Sequence, residues 1–144
     1  MSLNIVRFNS KRHKDQVIEL WTNVFGYESS RNDPHLAIEK KEAVSDGLFF
    51  VAESAKHGVI GTVMCGYDGH RGWVYSLAVR PDLQNQGIGK ELMIHAENAL
   101  TNLGCVKINL QILEDNEKVQ MFYRSLGYTT EKRISMGKEI SENM

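Results

Sequence analysis

Cysteine and proline are scarce in this chain, two of each in 144 residues. Cys65 and Cys105 are too few for a disulfide scaffold and match no paired metal-ligand spacing. Pro34 and Pro81 are the only prolines, and no Ser/Gly-rich linker, low-complexity tract or internal repeat divides the chain. One domain over residues 1–144 is therefore expected. An excess of charge is missing too: 17 Lys+Arg stand against 18 Asp+Glu, a net charge of -1. That balance argues against sequence-independent nucleic-acid binding, which needs a basic excess. No apolar run approaches the roughly 18 residues that cross a bilayer, and the opening MSLNIVRFNSKRHKD lacks a signal-peptide core. What is left is a cytoplasmic domain without nucleic-acid or membrane partners, either an enzyme or a small-ligand binder. Its 42% hydrophobic content is enough for a core.

Periodicity and turn chemistry set out the elements. Residues 3–8 read as a strand and 12–25 as an amphipathic helix with Val17, Leu20, Trp21, Val24 and Phe25 on one side. Asp33-Pro34 reads as an N-cap followed by Pro at the first helical position, opening a helix to about Val44. Strands follow at Leu48–Glu53, Val59–Tyr67 and Trp73–Val79, separated by turns at His57-Gly58 and Asp68–Gly72. A long helix runs from Gly87 to Leu103, then a strand at Val106–Leu113, a helix at Asn116–Leu126, and closing strands from Tyr128. The expected fold is α/β (mixed α+β), ordered β-α-α-β-β-β-α-β-α-β(-β). Its central sheet is mixed and mostly antiparallel, with helices on both faces.

The segment from Val79 to Lys90 joins a strand to a helix amino terminus. Gly87 and Gly89 remove side chains where backbone N–H groups point outward, which makes a site for phosphate oxygens. It is not a Walker A loop, because Glu91 follows Gly89-Lys90, nor a dinucleotide fingerprint, because Leu92 stands where a third small residue is needed. A tight strand-to-helix turn is the plainer alternative. Further along, Asn116 and Tyr123 are seven residues apart, two helical turns, and share a face.

Two strings carry a resemblance. Gln84-x-x-Gly87-x-Gly89 after Leu77-Ala78-Val79, and Asn116-x6-Tyr123-x3-Gly127-Tyr128, resemble the two motifs of the GNAT-superfamily N-acetyltransferases, in that family's order. The resemblance implies acetyl-CoA as cosubstrate and no metal. It implies that backbone amides of Gln84, Asn85, Gln86, Gly87, Ile88, Gly89 and Lys90 hold the pyrophosphate. The strand edge at Leu77, Ala78 and Val79 would hold the pantetheine arm, with Asn116 bonded to the same arm. Tyr123 would face the sulfur as general acid, and the cofactor-side strands would splay apart. Within the family, Asn32-Asp33-Pro34, Gly61-Thr62-Val63-Met64, Gly66–Gly72 and Ser135–Lys138 are most like the bacterial YpeA-type group.

Acetyl transfer from a thioester to an amine needs a neutral amine, donors for the oxyanion, and stabilisation of the departing thiolate. Leu77 and Ala78 amides are the expected oxyanion donors. The base is the gap, because Trp73–Leu77 carries no carboxylate and Gln111 stands where ribosomal-protein acetyltransferases of the superfamily have Glu. At pH 7 a lysine amine is neutral to about 4 parts in 10⁴ and an α-amine to about one-sixth, a difference of about 3.5 kcal/mol. Either the acceptor amine has a low pKa, or His70 or Asp33 acts as base through water. Asn32, Asp33, His70, Arg71 and Tyr75 are the candidate acceptor contacts, and Arg71 suits an acceptor carboxylate. Asp33 reads first as an N-cap and Asp68-Gly69 as hairpin chemistry. His13, His35, His57 and His95 read as solvated surface, and the two cysteines as core.

The leading reading is direct transfer of acetyl to a primary amine of a small molecule. Protein N-alpha or lysine acetylation is the alternative within enzymes, so the acceptor partner is a small-molecule or peptide amine. A non-catalytic acyl-CoA-binding regulatory module is the alternative of another class. A homodimer is a family-level expectation.

Overall fold

The computed structural model describes residues 3–26 and 33–140. The elements run β1 (Asn4–Arg7), α1 (Ser10–Phe25), α2 (Pro34–Val44), β2 (Phe49–Ser54), β3 (Gly58–Tyr67), β4 (Gly72–Val79), α3 (Ile88–Asn102), β5 (Ile108–Asn109) and α4 (Glu117–Ser125). Two compact units are distinguished, Met1–Leu110 and Gln111–Met144, within a stretch that shows no linker in its sequence. The first holds the sheet with α1, α2 and α3; the second holds α4.

The sheet order is β1-β2-β3-β4-β5. The first four strands are antiparallel neighbours, and β5 joins β4 in parallel. Alternation along β3 sends side chains to both sides. Thr62 meets Trp21 of α1, while a Cβ added at the preceding Gly61 would lie 2.8 Å from Leu92 and 3.5 Å from Ile88 of α3. α1 and α3 therefore cover opposite faces, as the fold class requires. On the α1 side the core gathers Val17, Leu20, Trp21, Ile38, Phe49, Val51 and Met64. On the other, Ile88, Leu92, Ala96 and Leu100 follow helical spacing and are buried.

Three expectations are corrected. His13, read as surface, is 1% exposed because it continues the Val17/Trp21 row one turn earlier. Its Nδ1 accepts the Asn9 N–H at 2.9 Å, and its Nε2 lies 3.0 Å from a Glu53 carboxylate oxygen. Asn9 in turn caps α1, its side chain accepting from the Arg12 N–H, so the helix starts at Ser10. The expected strand Val106–Leu113 contracts to Ile108–Asn109. Closing strands from Tyr128 are absent among the described residues, and Ile134 and Met136 are each 90% exposed. A β-branched, aromatic run becomes a strand only where a ladder partner takes its backbone groups; no strand pairs with this run among the described residues.

Candidate functional site

The register of β3 on β4 changes between Thr62 and Met64. Thr62 pairs with Ala78 but Met64 pairs with Tyr75, so Ser76 and Leu77 both stand opposite Val63. This is a β-bulge, and Ser76 sits in the left-handed region at φ 53°. On its other side β4 pairs with β5 only at Gly72 and Trp73. Beyond those two residues the outer edge of β4, from Val74 to Val79, has no ladder partner among the described residues. The splayed strands expected from the resemblance are present in this form, and they explain the short β5.

At the end of β4 the chain turns into α3. The Gln84 side chain donates to the Val79 carbonyl at 3.2 Å, tying the loop back to the strand. Leu83 and Ile88 are buried anchors, and Gln84, Asn85, Gln86 and Gly87 between them are exposed. Asn85 (φ 64°) and Gly87 (φ 84°) take left-handed backbone, which turns successive N–H groups toward a common side. Gly87 is the N-cap of α3, and no side-chain hydrogen bond caps that end. The first amides of the helix, including Ile88, Gly89 and Lys90, have no preceding turn to accept their protons. A Cβ at Gly87 would meet nothing within 4 Å, so the space in front of these amides is open. Exposed amides, positive helix dipole and open space suit a diphosphate. The observed donor set thus fits the pyrophosphate of a coenzyme A thioester.

Tyr75 lies on β4 beside the bulge and is 43% exposed. Lys41 of α2 has its Nζ 5.4 Å from the centre of the Tyr75 ring. The same Nζ donates to Asp46 at 2.9 Å and to the Cys65 carbonyl at 2.6 Å. Burial alone lowers the Lys41 pKa, but its hydrogen bonds with Tyr75 and Asp46 outweigh that and raise it, so the amine stays charged. Lys41 was not singled out from the sequence. Its spacing from Pro34 and Ile38 marks it as belonging to the inward side of α2.

The remaining expected residues are placed elsewhere. Asp68 accepts the His70 and Arg71 amides at 2.8 and 2.7 Å, so the β3–β4 turn is built by Asp68. Arg71 and then His70 supply the bonds that hold the Asp68 carboxyl below its ordinary range. From Gly72 to Ser76 is four strand steps, about 13 Å at roughly 3.3 Å per residue, and His70 lies beyond Gly72. The hairpin therefore does not bring His70 or Arg71 to the bulge. Asp33 caps α2, accepting the His35 N–H at 2.8 Å. Asn32 lies outside the described residues.

In the second unit, the Asn116 side chain accepts the Val119 N–H and caps α4. Tyr123 is the buried residue of that helix, with Val119 and Phe122 half-buried. Its ring packs edge-on to Phe122 and Tyr128 at 5.1 and 5.6 Å. Burial pushes its hydroxyl up to about 12, so it remains a proton donor at neutral pH.

A bulged strand with an open outer edge runs into a glycine-opened helix end whose free amides suit a diphosphate. Residues 14–128 match the model of the Acetyltransferase (GNAT) family, and the chain belongs to that family. Solved structures agree on the fold. The aminoglycoside N-acetyltransferase AAC(6')-Iy in complex with CoA is 21% identical, with a TM-score of 0.77 over 96% of this chain and 95% of that one. Glucosamine-6-phosphate N-acetyltransferase from Arabidopsis thaliana is 19% identical, with a TM-score of 0.70 over 98% and 100%. PaiA N-acetyltransferase from Thermoplasma acidophilum, in complex with coenzyme A, is 20% identical, with a TM-score of 0.73 over 93% and 94%.

Proposed function

We propose that the protein transfers acetyl from acetyl-CoA directly to a primary amine of a small molecule, an amine largely neutral near pH 7. The observation that carries this reading is the Ser76–Leu77 bulge on an unpaired strand edge, seven residues before the first of the amides that suit the pyrophosphate. Amides of Gln84 to Lys90 hold the diphosphate, and the β4 edge at Leu77, Ala78 and Val79 takes the pantetheine amides. The acceptor nitrogen forms a bond to the acetyl carbon as the carbon–sulfur bond breaks. Charge developing on the carbonyl oxygen falls to the Leu77 N–H group, because the Ala78 N–H faces Thr62 across the β3–β4 ladder. The amine proton leaves to water, and the thiolate is stabilised by the Tyr123 hydroxyl.

Two placements support a low-pKa acceptor over an enzyme base: His70 sits at the hairpin tip, and the Asp33 carboxylate is engaged as a helix cap. A set of primary amines of graded pKa, assayed at fixed pH for thiol release from acetyl-CoA, tests the point. Rates should fall as amine pKa rises, and each profile should climb with pH up to the amine's own pKa. Profiles that all level off at one shared pKa, whatever the amine, would reveal an enzyme base and contradict this reading.

A further inference from the structure

Ser76 holds a left-handed backbone that residues other than glycine, asparagine and aspartate seldom adopt. Such a conformation persists only where its surroundings over-determine it. Two buried side chains do so here. The Trp21 indole N–H donates to Thr62 Oγ1 at 2.8 Å, and the Thr62 hydroxyl donates to the Ser76 carbonyl at 3.0 Å. The polarity of this chain is fixed, because an indole N–H can only donate and a carbonyl can only accept. Trp21 and Thr62 are both 0% exposed, which keeps solvent from competing for either bond.

The Ser76 carbonyl and the Leu77 N–H belong to one planar trans peptide, so they point in opposite directions. Anchoring the carbonyl on Thr62, a β3 residue, turns the Leu77 N–H away from β3 and toward the edge of β4 that lacks a partner. A hydrogen bond received at the carbonyl also polarises the peptide and makes its N–H the stronger donor.

We propose that Trp21 and Thr62 are positioning residues for acetyl transfer. Their indole–hydroxyl–carbonyl chain aims and polarises the one peptide whose Leu77 N–H receives the charge of the reacting carbonyl. The proposal rests on the role given above to the Leu77 amide, and its test separates the two.

The probe is acetyl-CoA isotopically labelled at the acetyl carbonyl, bound to the full chain, with the carbonyl stretch read by difference infrared spectroscopy and affinity by calorimetry. In the wild type the stretch should lie below its position in free acetyl-CoA. Thr62→Val keeps the shape and removes the hydroxyl, so the stretch should return toward the free value with affinity within about twofold. Thiol release with the best acceptor amine should fall about tenfold or more in kcat, consistent with losing part of one oxyanion donor. Thr62→Ser restores the hydroxyl and should restore both shift and rate. Should Thr62→Val fail to fold, Trp21→Phe keeps Thr62 in place and removes only the outer donor. A smaller return of the stretch is expected there. A wild-type shift that survives unchanged in Thr62→Val, or in Trp21→Phe if that is the variant that folds, overturns the positioning role and leaves the oxyanion role standing. No shift in the wild type overturns the oxyanion role and the proposal with it.

Discussion

Replacing Tyr123 by Phe removes one hydroxyl from a ring that is 8% exposed, and two independent consequences can be worked out. The first concerns the rate. Burial holds the hydroxyl up to about 12, whereas an ordinary thiol has a pKa of about 8.5. Complete proton transfer from Tyr123 to a departing thiolate is therefore uphill by about 3.5 units, or about 5 kcal/mol at about 1.36 kcal/mol per unit. In the proposed mechanism the role left to Tyr123 is that of a hydrogen-bond donor to the thiolate. A hydrogen bond to a charged group contributes about 1.5–3 kcal/mol, so Tyr123→Phe should lower kcat about 10- to 150-fold and leave acetyl-CoA affinity nearly intact. Thiol release under saturating cosubstrate measures the first quantity and calorimetry the second. The second consequence concerns stability. Below pH 10 the tyrosine is protonated in both folded and unfolded chains, and its contribution is fully present. Between about 10 and 12 only the unfolded chain ionises, so stability falls as pH rises, by about 3 kcal/mol in all. Lys41, also raised, adds a loss in the same alkaline direction, so the difference between wild type and Tyr123→Phe isolates the tyrosine. An unchanged kcat refutes the thiolate role. Parallel alkaline unfolding curves refute the burial argument beneath it.

Three further outcomes are expected. Gly87→Val places a β-branched residue at φ 84° with no atom within 4 Å of its Cβ. It should cost about 1–3 kcal/mol of stability while lowering acetyl-CoA affinity at least about tenfold, both readable by calorimetry; retained affinity would remove the loop from the diphosphate site. Gly61→Ala puts a Cβ 2.8 Å from Leu92 Cδ1 and 3.1 Å from the Ala78 carbonyl oxygen, and overpacking of that kind costs about 1–3 kcal/mol; denaturant unfolding with an unchanged midpoint would contradict the close α3–β3 approach. Lys41→Met strips the cation from Asp46 and from the Cys65 carbonyl. A loss of about 2–4 kcal/mol is expected from the unpaired groups, and a neutral result would show that the pair contributes nothing net.

Local chemistry made much of this molecule legible. Asp33-Pro34 announced the start of α2, Asp68-Gly69 the β3–β4 turn, and Gly87 the opening of α3, because each acts through its own backbone within a few residues. What escaped depends on contacts distant in sequence. The bulge left a faint trace: Tyr75 and Ala78 pair with Met64 and Thr62 while standing three apart, which breaks the period of two. Recognising it needs the β3 register, which β4 alone does not contain. His13 and Lys41 are polar residues at inward helical positions. Their burial is tolerated because Glu53 and the Cys65 carbonyl, far along the chain, and Asp46, beyond the end of α2, complete their hydrogen bonds. Periodicity marks such positions and cannot supply the partners. The strand readings after Tyr128 failed for the opposite reason, since β propensity is local and a ladder is not.

The central claim is that this chain moves acetyl from a thioester to an amine. Its most direct test incubates the protein with acetyl-labelled acetyl-CoA and a panel of aminosugars, aminoglycosides, polyamines and peptides, following free thiol and labelled amide together. The account predicts at least one small amine that becomes labelled in step with thiol release, one for one, and slower labelling in Gly87→Val at subsaturating acetyl-CoA. Tight acetyl-CoA binding with no labelled amide across the panel, and thiol release no faster than in buffer, would contradict it and identify the protein as a binder of acyl-CoA.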